Sequence, residues 1–375
     1  MGADLFDHFP ELTATADTIL AYSIKDLCLN APASQLAQTR YTQPALYVVN
    51  ALSYRQRLRD QETPPDFVAG HSLGEYSALE CAGVISFEDG LRLVKKRGEL
   101  MSQAPPGAMA AIIGLAPDQV GELLAEHGLD ALDVANYNSP TQTIISGLHA
   151  DIRQAQAVFE QHRAMYIPLN VGGAFHSRYM QAAQNEFRQY LAGFRYGTPT
   201  IPVLANIHAQ PYVDERVADN LAKQLTHSVR WLDSMHFLLD QGVTELVEVG
   251  PGDVLTKLAR AIRSQYRPAA AEEPVPAPAA MAPESEPEPG RVSTFAGVTP
   301  VSATAAPETA APLSPQQRVN DWNRLHAIGT SVYAKGYPQP LLTQTTALVL
   351  FGHRAAIYLQ GYHGYFALDE ITPAN

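Results

Sequence analysis

The feature that most constrains this chain is the pentapeptide Gly70-His71-Ser72-Leu73-Gly74, which lies between two unlike segments. Before it, Phe67-Val68-Ala69 reads as a short buried strand ending at Gly70. After it, Tyr76 to Cys81 reads as an apolar helix. A GxSxG spacing needs this context. The glycines permit a sharp strand-to-helix turn that presents the serine oxygen, and the N–H after the serine can stabilise an oxyanion. The helix N-terminus adds partial positive charge. Ser72 is therefore the candidate nucleophile, and the Leu73 N–H the candidate oxyanion donor. The plainer alternative is a structural glycine turn with an N-capping serine; the flanking strand and helix weigh against it.

A serine nucleophile needs a base, and the chain has 12 histidines. His176 stands out by position. It follows Gly172-Gly173-Ala174-Phe175, where glycines let the backbone pass close to another segment. A surface-loop histidine remains open as the alternative. Arg97 is singled out by periodicity. On a helix from Leu91 to Met101, Leu93, Arg97, Leu100 and Met101 share one face, whereas Lys95, Lys96 and Glu99 lie elsewhere. A cation on an apolar stripe is costly unless paired. A carboxylate would satisfy it bidentately, whether it belongs to a ligand or to an internal acid.

The rest of residues 1–266 alternates helix and strand. Gln43-Pro44 opens an apolar-periodic helix, since proline is favoured in the first turn. Ser86 is the N-cap of the helix that carries Arg97, with acidic residues in its first turn. From Gly107 to Leu169 the order is strand (Ala108–Ile113), helix (Pro117–His127), strand (Leu132–Asn136), strand (Gln142–Ser146), helix (Ala150–Arg163), strand (Ala164–Leu169). That βαββαβ order is the ferredoxin-like pattern. The expected fold is thus α/β. A large subdomain (1–106 and 170–266) with a parallel, α/β-hydrolase-like sheet holds a ferredoxin-like insert at 107–169. Residues 267–315 are rich in Pro, Ala and Glu, too poor in large apolar side chains to offset ordering entropy, and read as a disordered linker. Residues 316–375 read as a small β-rich unit. It has strands at Leu348–Phe351 and Ala355–Leu359 and turns at Gly352, Gly361 and Gly364.

Composition narrows the partners. A formal net charge of −12 argues against nucleic acid as the main ligand. No apolar run approaches the ~20 residues of a membrane span, and no signal segment opens the chain. Cys28 and Cys81 belong to no metal-ligand spacing. No metal, no membrane and a cytoplasmic setting are expected.

At this point the motifs converge. Gly70-His71-Ser72-Leu73-Gly74-Glu75-Tyr76-Ser77-Ala78-Leu79 resembles the active-site signature of malonyl-CoA:acyl-carrier-protein transacylases. Thr42-Gln43-Pro44-Ala45, Asn136-Tyr137-Asn138-Ser139-Pro140, Gly173-Ala174-Phe175-His176-Ser177 and Glu248-Val249-Gly250-Pro251-Gly252 resemble further family segments. The wording Gly-Ala-Phe-His-Ser-Arg-Tyr-Met and the tail from Val319 to Pro373 are most similar to stand-alone acyltransferases that serve modular polyketide synthases in trans.

The resemblance implies a mechanism. Ser72 takes a malonyl group from coenzyme A as an ester and passes it to the phosphopantetheine thiol of an acyl carrier protein. No cofactor is bound, and malonyl-CoA is the substrate. His176 acts as base and then acid, oriented by the Gln224 carbonyl rather than by a carboxylate. Arg97 holds the malonyl carboxylate, and Gln43, His71, Asn138 and Phe175 line the substrate site. The family also begins with a strand and a Gly/Gln-rich loop that supplies a second oxyanion N–H. Met1-Gly2-Ala3-Asp4-Leu5-Phe6 resembles the segment just after that loop, so both are expected to be missing from this sequence; one lost oxyanion donor typically costs ~10²–10³ in rate. The runner-up reading is an acyl-carrier-protein hydrolase on the same scaffold, and a third is a catalytically silent docking protein. Because carrier proteins are generally acidic, docking is expected to use a local basic patch, with Lys95, Lys96, Arg178 and Arg230 as candidates.

Overall fold

The computed structural model describes residues 1–60, 64–212, 216–267 and 314–335, and beyond these residues 337, 339–343, 347–350, 354–359, 365–368 and 371–374. The chain opens with four short helices, α1 (Leu5–His8), α2 (Pro10–Leu20), α3 (Ile24–Leu29) and α4 (Ala33–Leu36). A long helix, α5 (Thr39–Asp60), follows. Pro44 lies inside α5 rather than at its start, which corrects the expected boundary. The Thr39-Arg40-Tyr41 turn before it already has helical geometry, and a proline one turn in forgoes only one early N–H bond. Strand β1 (Val68–Ala69) leads through the GxSxG turn into α6 (Gly74–Cys81), then α7 (Phe87–Gln103). Ser86 caps α7 as expected, its side chain accepting from the Asp89 N–H at 3.0 Å. Leu91, Leu93, Val94, Leu100 and Met101 bury one stripe of α7 against α5, and at Gly90 a Cβ would collide with the Tyr47 hydroxyl.

Next comes β2 (Ala108–Ile113), α8 (Pro117–Glu126), β3 (Asp133–Ser139), β4 (Gln142–Gly147), α9 (His149–Gln161) and β5 (Met165–Pro168). The expected βαββαβ order holds, with element ends displaced by at most three residues. The strands form one antiparallel sheet in the order β3-β4-β2-β5. Both faces of β2 are covered. Ala110 and Ile112 join Val120, Ile145, Ile152 and Phe159 under the helices, while Met109 and Ala111 pack with Ala135, Ile144 and the half-buried Phe175. This alternation is the period-two rule of a strand buried on both sides.

The chain returns through α10 (Gln181–Leu191), β6 (Val203–Leu204), α11 (Val217–Lys223), α12 (Trp231–Asp240) and α13 (Val254–Gln265). β6 runs parallel to β1, pairing Val68 with Val203 and Ala69 with Leu204. A parallel sheet was expected in this subdomain; among the described residues the parallel strand pairing is that of β1 with β6, joined by one isolated parallel bridge between Asn136 and Val229. Across from β1, residues 245–251 run without a backbone hydrogen bond to any described strand. A cavity of about 910 Å³ separates them from Val68, Ala69 and Gly70.

The final described segment holds α14 (Pro315–Leu325), β7 (Ser331–Ala334), β8 (Leu341–Leu342), β9 (Leu348–Leu350), β10 (Arg354–Tyr358), β11 (Tyr365–Ala367) and β12 (Ile371–Pro373). They form two three-stranded antiparallel sheets around Val319, Val332, Ile357 and Leu359. The two anticipated strands overlap β9 and β10, Phe351 lying outside the described residues, and a helix precedes them that the β-rich reading did not include. The linker expected at 267–315 lies almost wholly outside the described residues, as do Gly352, Gly361 and Gly364. Among the described residues no helix is long and apolar enough to cross a membrane, and no cluster of His, Cys, Asp and Glu could hold a metal ion.

Candidate active site

The turn after β1 is as tight as its glycines imply. A Cβ on Gly70 would stand 1.9 Å from the Gly74 carbonyl carbon and oxygen, so only glycine fits. Ser72 has φ 51°, in the left-handed region, where a non-glycine residue costs on the order of 1 kcal/mol or more. Asn206, just after β6, straps the turn. Its Oδ1 accepts the Ser72 N–H at 2.7 Å, and its Nδ2 donates to the Gly70 carbonyl at 2.7 Å. The Leu73 N–H, at the start of α6, is taken up by no acceptor among the described residues.

His176 also has a left-handed backbone, with φ 57°. Its Nδ1 lies 2.7 Å from the Gln224 carbonyl oxygen, which can only accept, so Nδ1 carries the proton. Nε2, left as an acceptor, lies 2.7 Å from Ser72 Oγ. Burial pulls the imidazole pKa down to about 3, with the Arg97 charge adding to the effect and the Gln224 bond opposing it. The ring is thus a neutral base through the ordinary pH range.

Arg97 completes the group from α7. It is 1% exposed. Its Nη1 donates to Gln43 Oε1 at 2.7 Å, and its Nη2 to Gln224 Oε1 at 2.8 Å and to Ser72 Oγ at 3.1 Å. Its Nε–H has no hydrogen-bond partner among the described residues. Burial works against the guanidinium's charge and lowers its pKa, while Tyr76, ring centroid 5.6 Å away, partly offsets this. Among the described ion pairs none includes Arg97. The alternative of an arginine held directly by an internal acid therefore loses ground. A buried cation with a spare donor beside a serine oxygen can receive an anion.

Ser72, His176, Arg97, Gln43 and Gln224 thus come together. His71 and Asn138 form a second pair, His71 Nε2 lying 2.9 Å from Asn138 Oδ1 with the imidazole packed on Trp231. Both line the 910 Å³ cavity, on the other side of the GxSxG turn from β6. Phe175 packs against the antiparallel sheet next to His176. Each basic docking candidate is engaged locally. Lys96 pairs with Glu186, Arg178 with Asp133 and Arg230 with Asp233, and Lys95 donates to the Ile19 carbonyl. Three residues of the site escaped sequence reasoning: Asn206, Glu75 and Tyr212. Glu75 accepts from the Asn206 N–H, the Tyr212 hydroxyl and Gln224 Nε2. It sat within a quoted motif, but an acidic residue in a first helical turn reads as ordinary dipole compensation.

Comparison with known proteins places this geometry. The profile described as "Acyl transferase domain" matches residues 1–306. The chain belongs to the acyl transferase domain family. Among its relatives, the polyketide biosynthesis malonyl CoA-acyl carrier protein transacylase BaeC of Bacillus velezensis is 53% identical over 267 residues, covering 71% of this chain and 92% of that protein. The malonyl CoA-acyl carrier protein transacylase of Synechocystis is 42% identical, covering 69% of this acyl transferase and 88% of its relative. Among solved structures, the malonyl CoA-acyl carrier protein transacylase of Burkholderia pseudomallei superposes with a TM-score of 0.69 at 48% identity, over 71% of this chain and 94% of that one. A second, a malonyl-transacylase solved in complex with its type II polyketide synthase acyl-carrier protein, gives a TM-score of 0.67 at 35% identity, over 70% and 88% of the respective chains.

Proposed function

We propose that this chain transfers a malonyl group from malonyl-CoA to the phosphopantetheine thiol of an acyl carrier protein, supplying extender units for polyketide synthesis. The observation that carries the reading is the Ser72 oxygen, 2.7 Å from the His176 acceptor nitrogen and 3.1 Å from the Arg97 guanidinium. His176 Nε2 takes the Ser72 proton as Oγ attacks the thioester carbonyl. The oxyanion develops against the Leu73 N–H at the start of α6. Coenzyme A leaves as the thiol, taking the proton back from His176, and malonyl–Ser72 remains. The carrier thiol then gives its proton to His176 and attacks the ester, and Ser72 Oγ recovers the proton as it leaves. Arg97 holds the malonyl carboxylate, with Gln43, His71, Asn138 and Phe175 shaping the rest of the substrate site. The same reading gives the units their parts. Residues 1–106 and 170–266 form the hydrolase-like catalytic body, 107–169 a ferredoxin-like insert, 267–315 a linker and 316–375 a small C-terminal unit, in a cytoplasmic protein.

Intact-mass spectrometry after mixing the protein with malonyl-CoA tests this. We expect one malonyl adduct, discharged on adding holo acyl carrier protein. An adduct discharged to water at the same rate without carrier protein would favour the hydrolase reading instead. We further expect His176→Ala to slow loading and discharge alike by about 10²-fold, the usual worth of a general base. Stopped-flow rates for each half-reaction check this, and rates within a few-fold of wild type would reassign His176 to structure.

A further inference from the structure

Gln224 stands between two charged groups. Its Oε1 accepts from Arg97 Nη2 at 2.8 Å. Its Nε2 donates to the Ser72 carbonyl at 2.9 Å and to Glu75 Oε2. The two ends of an amide are alike in shape and opposite in hydrogen-bond sense, so the neighbours decide which way it faces. Arg97 can only donate and a Glu75 carboxylate can only accept. Together they hold the amide in one orientation from opposite ends. Glu75 is 1% exposed and is fed by three donors: the Asn206 N–H at 3.1 Å, the Tyr212 hydroxyl at 2.5 Å and Gln224. Among the described ion pairs neither Glu75 nor Arg97 appears, so the acid acts on the guanidinium across the amide.

We propose that Glu75 is a positioning residue for acyl-group selection: its carboxylate fixes the Gln224 amide and, through it, the aim of the Arg97 guanidinium beside Ser72. The inference rests on the reading of Arg97 as the holder of the malonyl carboxylate. Burial raises the Glu75 pKa to about 7, against the lowering effect of Tyr212, Gln224, the Asn206 N–H and Arg97. The titratable groups around it are Arg97 from α7, Tyr76 from its own helix and Tyr212. Burial holds both tyrosines above their usual range, and His176, beyond Gln224, is held near 3. His71, on the same turn, is also held low by burial. Of these groups Glu75 is the one that changes charge near neutrality. Above about 7 it is anionic and locks the amide. Below that, its O–H competes with the Gln224 N–H for the same space, and the guanidinium loses its fixed aim.

The test is kcat/KM for malonyl and for acetyl transfer to holo acyl carrier protein, between about pH 6 and pH 8, in wild type, Glu75→Gln, Arg97→Ala and the double variant. The wild-type malonyl-to-acetyl ratio is expected to fall on acidification through about 7, following Glu75. Glu75→Gln is expected to lower that ratio about tenfold and flatten its pH dependence, a coupling typical of groups that share a hydrogen-bonded partner. In the Arg97→Ala background it is expected to change the ratio no further. A Glu75→Gln variant that lowers both rates equally, or one whose effect multiplies with that of Arg97→Ala, overturns the proposal. The Arg97 reading fails separately, if Arg97→Ala keeps the wild-type ratio whatever Glu75→Gln does. Should Glu75→Gln not fold, Tyr212→Phe serves. It removes one donor from the carboxylate and is expected to move the midpoint of the ratio to higher pH; an unmoved midpoint overturns the proposal.

Discussion

Ser72→Ala is expected to give no malonyl adduct on intact-mass analysis and no transfer above background. In serine enzymes of this chemistry, loss of the nucleophile costs about 10⁶ in kcat. Beyond the Oγ contacts to His176 and Arg97, the bonds of the turn stay in place. Its N–H still reaches Asn206, and its carbonyl still accepts from Gln224. His176 keeps its bond to the Gln224 carbonyl. A thermal melt close to wild type should therefore accompany the loss. An adduct that persists in Ser72→Ala would move the nucleophile elsewhere and end the proposed mechanism.

Arg97→Ala is expected to collapse malonyl transfer while leaving acetyl transfer level or raised. Truncating one partner of a buried, charge-assisted pair commonly costs ~2–5 kcal/mol, up to several thousand-fold in rate. Acetyl has no carboxylate to strand. The same variant frees the Ser72 oxygen from a donor at 3.1 Å, which acts on both substrates and cancels in their ratio. Phe175, packed beside His176, is expected to crowd a 2-methyl branch and make methylmalonyl-CoA a poor substrate, by the ~1–3 kcal/mol that a methylene-sized misfit yields. The charge effect should exceed the steric one. Transfer rates for malonyl, methylmalonyl and acetyl groups in both proteins decide it. A uniform drop in all three would make Arg97 a structural residue.

How much of this was legible beforehand differs by residue, for physical reasons. The βαββαβ order of residues 107–169 was readable because apolar runs of strand and helix length are local signals. The sharp strand-to-helix turn at Ser72 was readable because GxSxG encodes its own geometry. Arg97 was readable because a cation on an apolar stripe conflicts with its surroundings. Asn206 was not, because a lone asparagine after a short strand looks the same whether it straps a turn or faces water. Glu75 and Tyr212 meet across 137 positions of sequence, and no local pattern announces such a contact.

The antiparallel sheet touches both halves of the His176 hydrogen-bond relay. From β5 the chain passes directly into the loop bearing His176, which Pro106 and Gly173 bridge back toward β2. At its other edge β3 exchanges backbone bonds with Val229, Ala135 accepting at 2.8 Å and Tyr137 donating at 2.9 Å, five residues beyond Gln224. Arg178, two residues after His176, grips Asp133 on that same strand. Gln224 closes the arrangement: its carbonyl fixes the His176 tautomer, while its side chain bonds the Ser72 carbonyl, Glu75 and Arg97. One residue therefore ties the base, the nucleophile turn and the guanidinium together, and the antiparallel sheet braces the base and its orienting segment from either edge.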